Sequence, residues 1–165
     1  MPPRLSLLCG LPGAGKTTLA RRMESELGVM RLCPDEWLID LGITLWDEAT
    51  RGRLEQRLTL LALSLLQRGQ SVVLEYGFWW RSERDQKRAE AHASGAEIAL
   101  YYLNPPPEEL WHRLNARNQA GQPGNVTIRR DVLEEWKTLF QAPDAAEFAL
   151  FDKASEVVDP RLHPL

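Results

Sequence analysis

Eight consecutive residues, Gly10-Leu11-Pro12-Gly13-Ala14-Gly15-Lys16-Thr17, fit the phosphate-binding pattern G-x-x-x-x-G-K-[ST]. Each part of the pattern has a mechanical task. Gly10, Gly13 and Gly15 let the backbone around Ala14 wrap closely about an anion, with N–H groups turned inward. Lys16 supplies a mobile positive charge for the β- and γ-phosphates of a nucleotide. The Thr17 hydroxyl is placed to ligate Mg²⁺. Thr18 continues into a helix whose positive end points at the same phosphates.

Other residues could complete a phosphoryl-transfer site around this loop. Asp35 is the candidate general base, a carboxylate that orients an acceptor hydroxyl and takes its proton. Its competing role is helix N-cap, since it follows Pro34 at a helix start. Glu75 ends an apolar run and could hold Mg²⁺, reach a substrate group, or sit in a salt bridge. Arg113 and Arg117 lie one helical turn apart and could neutralise charge on the leaving phosphate. Two solvated arginines are the bland alternative, and Arg117, nearer the following Gly/Pro-containing loop, is the better clamp. Trp37, Phe78 and Trp79 belong to an aromatic group that could form a platform for a planar or sugar-like substrate. Trp46 reads better as core packing. Arg81 and Arg84 flank the Trp79-Trp80 pair and could hold an anionic acceptor or simply solvate a helix start.

These residues need a scaffold, and the hydrophobic pattern supplies one. Leu5–Cys9, Met30–Cys33, Ser71–Tyr76 and Glu97–Leu103 read as short buried strands, with Ala154–Val158 as a fifth. Between them the spacing predicts helices over 17–27, 35–41, 48–68, 82–94 and 108–118, Ser82 capping the fourth. Thr127 is expected to cap a further helix holding Leu133, Trp136 and Phe140. Strand–helix alternation with crossovers of this length predicts an α/β, three-layer fold: a parallel sheet with helices on both faces. Ligands then belong at the carboxyl ends of the strands, where the phosphate loop, Asp35 and Glu75 all fall. The 165 residues suit one domain, with a mobile lid around 113–127.

Composition narrows the partners. A net charge of −3 provides no global basic field for nucleic acid. Every long apolar run is interrupted, which argues against a membrane span. Cys9 and Cys33 make no disulfide framework and read as buried thiols, pointing to a cytoplasmic setting. The three histidines show no metal-ligand spacing.

Gly10 to Thr18 (GLPGAGKTT), Cys33 to Leu38 (CPDEWL), Val72 to Trp79 (VVLEYGFW), Leu110 to Asn118 (LWHRLNARN) and Thr127 to Phe140 (TIRRDVLEEWKTLF) together resemble small P-loop kinases of the AAA_33 type. That group is related to zeta toxins, chloramphenicol phosphotransferase, gluconate kinase and polynucleotide 5′-hydroxyl kinase domains. The resemblance implies a P-loop NTPase fold with a five-stranded sheet in the order 2-3-1-4-5, and ATP with Mg²⁺. It also implies a base matching Asp35 and lid arginines matching Arg113 and Arg117. Two departures stand out: Glu75 where Asp is usual, and Trp37-Leu38 where polynucleotide kinases carry an Arg soon after the base. The expected function is an ATP-dependent kinase acting on a hydroxyl of a small molecule. The alternatives are a nucleotide-binding regulatory module or slow ATPase with a protein partner, and a toxin-like or polynucleotide 5′-hydroxyl kinase. No Asn-Lys-x-Asp guanine motif is present.

Overall fold

The computed structural model describes residues 1–121 and 126–165. The elements are β1 (Arg4–Cys9), α1 (Lys16–Leu27), β2 (Met30–Leu32), α2 (Pro34–Asp40), α3 (Glu48–Gln67), β3 (Val72–Gly77), α4 (Arg81–Ala93), β4 (Glu97–Leu103), α5 (Pro107–Ala120), α6 (Arg130–Leu139), α7 (Ala145–Phe148) and β5 (Lys153–Val157). All strand pairs are parallel and the sheet order is β2-β3-β1-β4-β5. The chain passes from β1 outward to β2, returns through β3, then crosses to β4 on the other side. The order therefore reverses at the carboxyl end of β1, where a ligand crevice opens.

Side chains alternate along the strands and divide the core into two layers. Leu5, Leu7, Val72, Leu74, Ile98 and Leu100 pack under Leu58, Ala62 and Leu66 of α3 and Ala91 of α4. Leu8, Val73, Ala99 and Tyr101 pack on the opposite face against Leu19 and Met23 of α1, Leu114 of α5 and Leu133 of α6. Burial on both sides explains why these strands read as nearly continuous apolar runs. Among the described residues no helix is long and apolar enough to cross a membrane.

Two helix starts differ from the sequence expectation. Helix α4 is capped at Trp80, not Ser82: the Trp80 N–H donates to the Glu83 carboxylate at 3.3 Å. Helix α6 begins at Arg130, three residues after the expected Thr127 cap. The reason is Asn118 of α5, whose side-chain amide accepts from the Ile128 N–H (3.1 Å) and donates to the Ile128 carbonyl (2.7 Å). Both backbone groups of a buried residue are thus satisfied outside a helix, which postpones its start. The short helix α7 carried no expectation; Asp144 caps it by accepting from the Glu147 N–H. Of the expected lid, residues 122–125 lie outside the described residues, and 113–120 are helical.

Candidate active site

The loop between β1 and α1 is shaped around its glycines. Gly15 has φ 102, and a Cβ there would fall 2.7 Å from Pro160 Cγ. A Cβ at Gly10 would meet the Leu103 carbonyl oxygen at 2.9 Å. The Lys16 ammonium donates to the carbonyls of Gly10 and Leu11, both at 2.9 Å, and so braces the loop from within. Burial lowers the pKa of Lys16, against the opposing pull of Glu75 and Asp35. Ala14 turns into the core, while Thr18 is exposed at the cleft.

Glu75, at the end of β3, is buried, and both its oxygens are engaged. The Thr17 hydroxyl donates to one, and Arg31 Nε donates to the other at 2.9 Å. Arg31 in turn grips Glu36 with two bonds of 2.7 and 2.9 Å. Burial works against the Arg31 charge, yet the Glu36 and Glu75 carboxylates raise its pKa. A hydroxyl and a carboxylate side by side form an oxygen-only donor set of the kind Mg²⁺ prefers, completed in such sites by water and phosphate oxygens. Among the described residues no cluster of three acidic, His or Cys side chains could hold a metal unaided. The donor set thus fits a metal that arrives with its nucleotide.

Asp35 lies in the first turn of α2, inside Pro34 and Cys33, so it is not the N-cap. Its Oδ1 accepts from Arg51 Nη2 of α3 at 2.5 Å. Among the described residues its Oδ2 accepts no hydrogen bond. Arg113 is tied to Glu109 at 2.7 Å, whereas Arg117 makes no ion pair or hydrogen bond among the described residues. Burial lowers the pKa of Arg117 and the nearby Asp35 opposes the shift. Lys16, Thr17, Asp35, Glu75, Arg113 and Arg117 line one cleft of about 1510 Å³.

The expected substrate residues divide. Phe78 and Trp79 line the cleft. Phe78 has φ 48, unusual for a side chain of this size. Its carbonyl accepts from Arg84 Nη1 at 2.8 Å and from the Cys9 thiol at 3.3 Å. Gly77, beside it, accepts from the Gly10 N–H at 2.9 Å, which joins this turn to the phosphate loop. Arg84 is therefore no acceptor ligand. It is fully buried, with two bonds of 2.6 and 2.9 Å to Glu147. Arg81 also lies off the cleft, pairing with Asp85 and Glu147. Trp37 faces solvent on α2, away from the cleft. Trp46 reverses its expectation: it is not core but half exposed, lining the cleft beside Trp136.

The sequence profile of AAA_33, described as an AAA domain, matches residues 5–143. The chain belongs to the AAA_33 family. Solved structures with the same fold include a candidate kinase from Chloroflexus aurantiacus (19% identity, 99% of this chain and 93% of that one, TM-score 0.78). Kti12 of Chaetomium thermophilum, solved with ADP-AlF3, shares 15% identity over 93% of this chain and 88% of its own, with a TM-score of 0.67. The APS kinase CysC of Mycobacterium tuberculosis, solved with AMPPNP and APS, shares 20% identity over 93% and 88%, with a TM-score of 0.64. No functionally curated protein matches the sequence.

In this AAA_33 protein several cleft residues carried no signal in the sequence. Arg51 and Glu55 sit on the polar side of α3, Glu83 on α4 and Trp136 on α6, and all four line the cleft. Arg31 stands in the middle of β2 and looks like an ordinary strand residue; its side chain is only 8% exposed because it lies between Glu36 and Glu75. Periodicity marks which face of a helix is apolar: Arg51, Glu55 and Glu83 are on no such face, and Trp136, which is on one beside Leu133, reads from the pattern as core alone.

Proposed function

We propose that this chain is an ATP-dependent phosphotransferase that moves the γ-phosphoryl group to a hydroxyl of a small-molecule acceptor. The observation that carries the reading is that Asp35 lines one cleft with Lys16 and Arg117, with only its Oδ1 engaged among the described residues. Hydrolysis alone needs no carboxylate beside the phosphate cradle to receive an alcohol; transfer does.

Lys16 and the loop N–H groups bind the β- and γ-phosphates, and Arg117 neutralises charge as the terminal phosphoryl loosens. Thr17 and Glu75 would hold Mg²⁺, which when bound screens the phosphate oxygens. Arg51 fixes one oxygen of Asp35, leaving Oδ2 to accept the hydroxyl proton. The acceptor oxygen forms a bond to the γ-phosphorus, the bond to the bridging oxygen breaks, and its electron pair leaves on ADP.

The test is transfer of label from γ-³²P-ATP to a panel of alcohols, with Asp35→Asn beside the wild type. Expected are at least one labelled acceptor and a loss of about 10²–10⁴-fold in its turnover in the variant, with ATP affinity kept. ATP binding with no labelled acceptor would overturn the reading and favour a nucleotide-binding module.

A further inference from the structure

Charge is divided along the cleft. At the phosphate-loop end, Arg21, Arg113 and Arg161 are each paired with a carboxylate. Lys16 bonds only to carbonyls and Arg117 to nothing among the described residues, so two cations are left uncompensated there. These are the charges a polyphosphate would meet. Beyond Asp35 the balance inverts. The cations on those walls, Arg51 and Lys87, are already held by Asp35 at 2.5 Å and Glu90 at 2.8 Å. Glu48 and Glu83 line the same region with no ion-pair partner among the described residues, and Glu55 has only Arg51 at 3.7 Å.

Three tryptophans line the same cleft as these carboxylates. Trp79 and Trp136 have ring centroids 5.4 Å apart, and Trp46 lies 6.3 Å from Trp136. They come from the exit of β3, from α6 and from the segment before α3. Indole faces attract cations through their quadrupole, most strongly where water is partly excluded. Carboxylates that outnumber the cations left to them, in one cleft with indoles, form a surface complementary to an ammonium group and repel an anion.

We propose that the acceptor is a cationic alcohol, an amine-bearing sugar, cyclitol or aryl alcohol. Its hydroxyl meets Asp35, and its ammonium lies between Glu83, Glu55 and the Trp79–Trp136 wall. The inference rests on the phosphotransfer reading for its chemistry, but the charge preference is measurable in binding alone. Burial, with Glu83 and Asp35 close by, pushes the Glu55 carboxyl up to about 7. A ligand cation would restore its ionised form.

The experiment uses two matched triples on the full chain: glucosamine, glucose and gluconate; and phenylethanolamine, phenylethanediol and mandelate. Binding is read from tryptophan fluorescence, transfer from γ-³²P-ATP. In at least one triple the amine should bind about tenfold tighter than its neutral partner, with the anion weaker still. Glu83→Gln should reduce that ratio to roughly two or three, since a neutral amide keeps the shape but loses the charge. The inference is overturned if the neutral or anionic member matches the amine in both triples, or if no amine binds by about 10 mM. An amine preference in binding with no labelled acceptor would uphold the charge preference and sink the transfer reading. Label passing equally to neutral members would do the reverse.

Discussion

Removing Glu147 should unfold this protein more readily than any other single change to a charged side chain, although Glu147 is far from the phosphate loop in sequence. The Arg84 and Glu147 side chains are 1% and 2% exposed. In Glu147→Ala the guanidinium loses both carboxylate bonds and keeps only the Phe78 carbonyl and the Cys9 sulfur, two neutral partners. Stranding a buried charge in this way costs about 3–5 kcal/mol. For a chain of this size that is a fall of roughly 6–20 °C in Tm. Arg84→Met should cost less, because the remaining carboxylate still has Arg81 at 3.6 Å. Replacing both, as Arg84→Met with Glu147→Leu, should recover most of the loss, since an apolar pair of similar volume removes both desolvated charges. The double variant still lacks the donor to the Phe78 carbonyl. The Gly77–Phe78 turn, and through it Gly10, is then held less firmly, and ATP affinity should fall about fivefold, the equivalent of roughly 1 kcal/mol for one hydrogen bond. Calorimetric melting and titration with ATP read the two effects separately. A Glu147→Ala protein melting within about 2 °C of wild type would refute the reasoning. So would a double variant melting as low as the single one.

Other perturbations test the site itself. Arg117→Ala should lower the rate of phosphoryl transfer about 10²–10³-fold while Arg113→Ala, which removes a side chain already neutralised by Glu109, lowers it less than about tenfold; equal losses in steady-state assays would remove the distinction. Glu55→Gln should stabilise the protein in a pH-dependent way. Folding raises the Glu55 pKa from 4.5 to about 7, so the folded state holds the proton more tightly and wild-type stability falls as pH rises through that window. The amide cannot ionise, and the variant should gain about 2 kcal/mol over wild type by pH 8 but nothing near pH 4.5; urea titrations at both values check the sign.

The parts of the site that were legible in the sequence are those whose requirements are local. The phosphate loop needs a fixed run of glycines, a lysine and a threonine on consecutive positions, so it is written in one stretch. Asp35 and Glu75 were legible because one comes just after β2 and the other lies near the end of β3, and parallel strands deliver their carboxyl ends to one crevice. Arg84 was not. Helix α4, RSERDQKRAEAHA, is almost entirely polar, so no apolar stripe marks its inner face. That face turns out to be Arg84, Lys87 and Ala91, at helical spacing but with two charges on it. A buried arginine is stable there only because Glu147 arrives from a helix 63 positions later. Trp46 failed for the opposite reason: a large apolar residue defaults to the core, but its segment runs along the cleft edge, where Trp136 provides its neighbour.

Glu75 shows how one of the two departures from the family pattern becomes intelligible in three dimensions. An aspartate at the end of β3 would be one methylene shorter. The glutamate reaches Thr17 on α1 with one oxygen and Arg31 beside β2 with the other. It thereby couples the Thr17 hydroxyl to the strand that leads into α2, and Arg31 extends the link to Glu36, the neighbour of Asp35. One chain of charge-assisted hydrogen bonds, Thr17–Glu75–Arg31–Glu36, thus runs from the start of α1 to the first turn of α2, beside Asp35. A carboxylate serving only a metal would not need Arg31, and its partial neutralisation by that arginine would weaken it as a metal ligand. The arrangement registers the first turn of α2, and with it Asp35, against the phosphate loop, which is what the proposed transfer between two bound molecules would need.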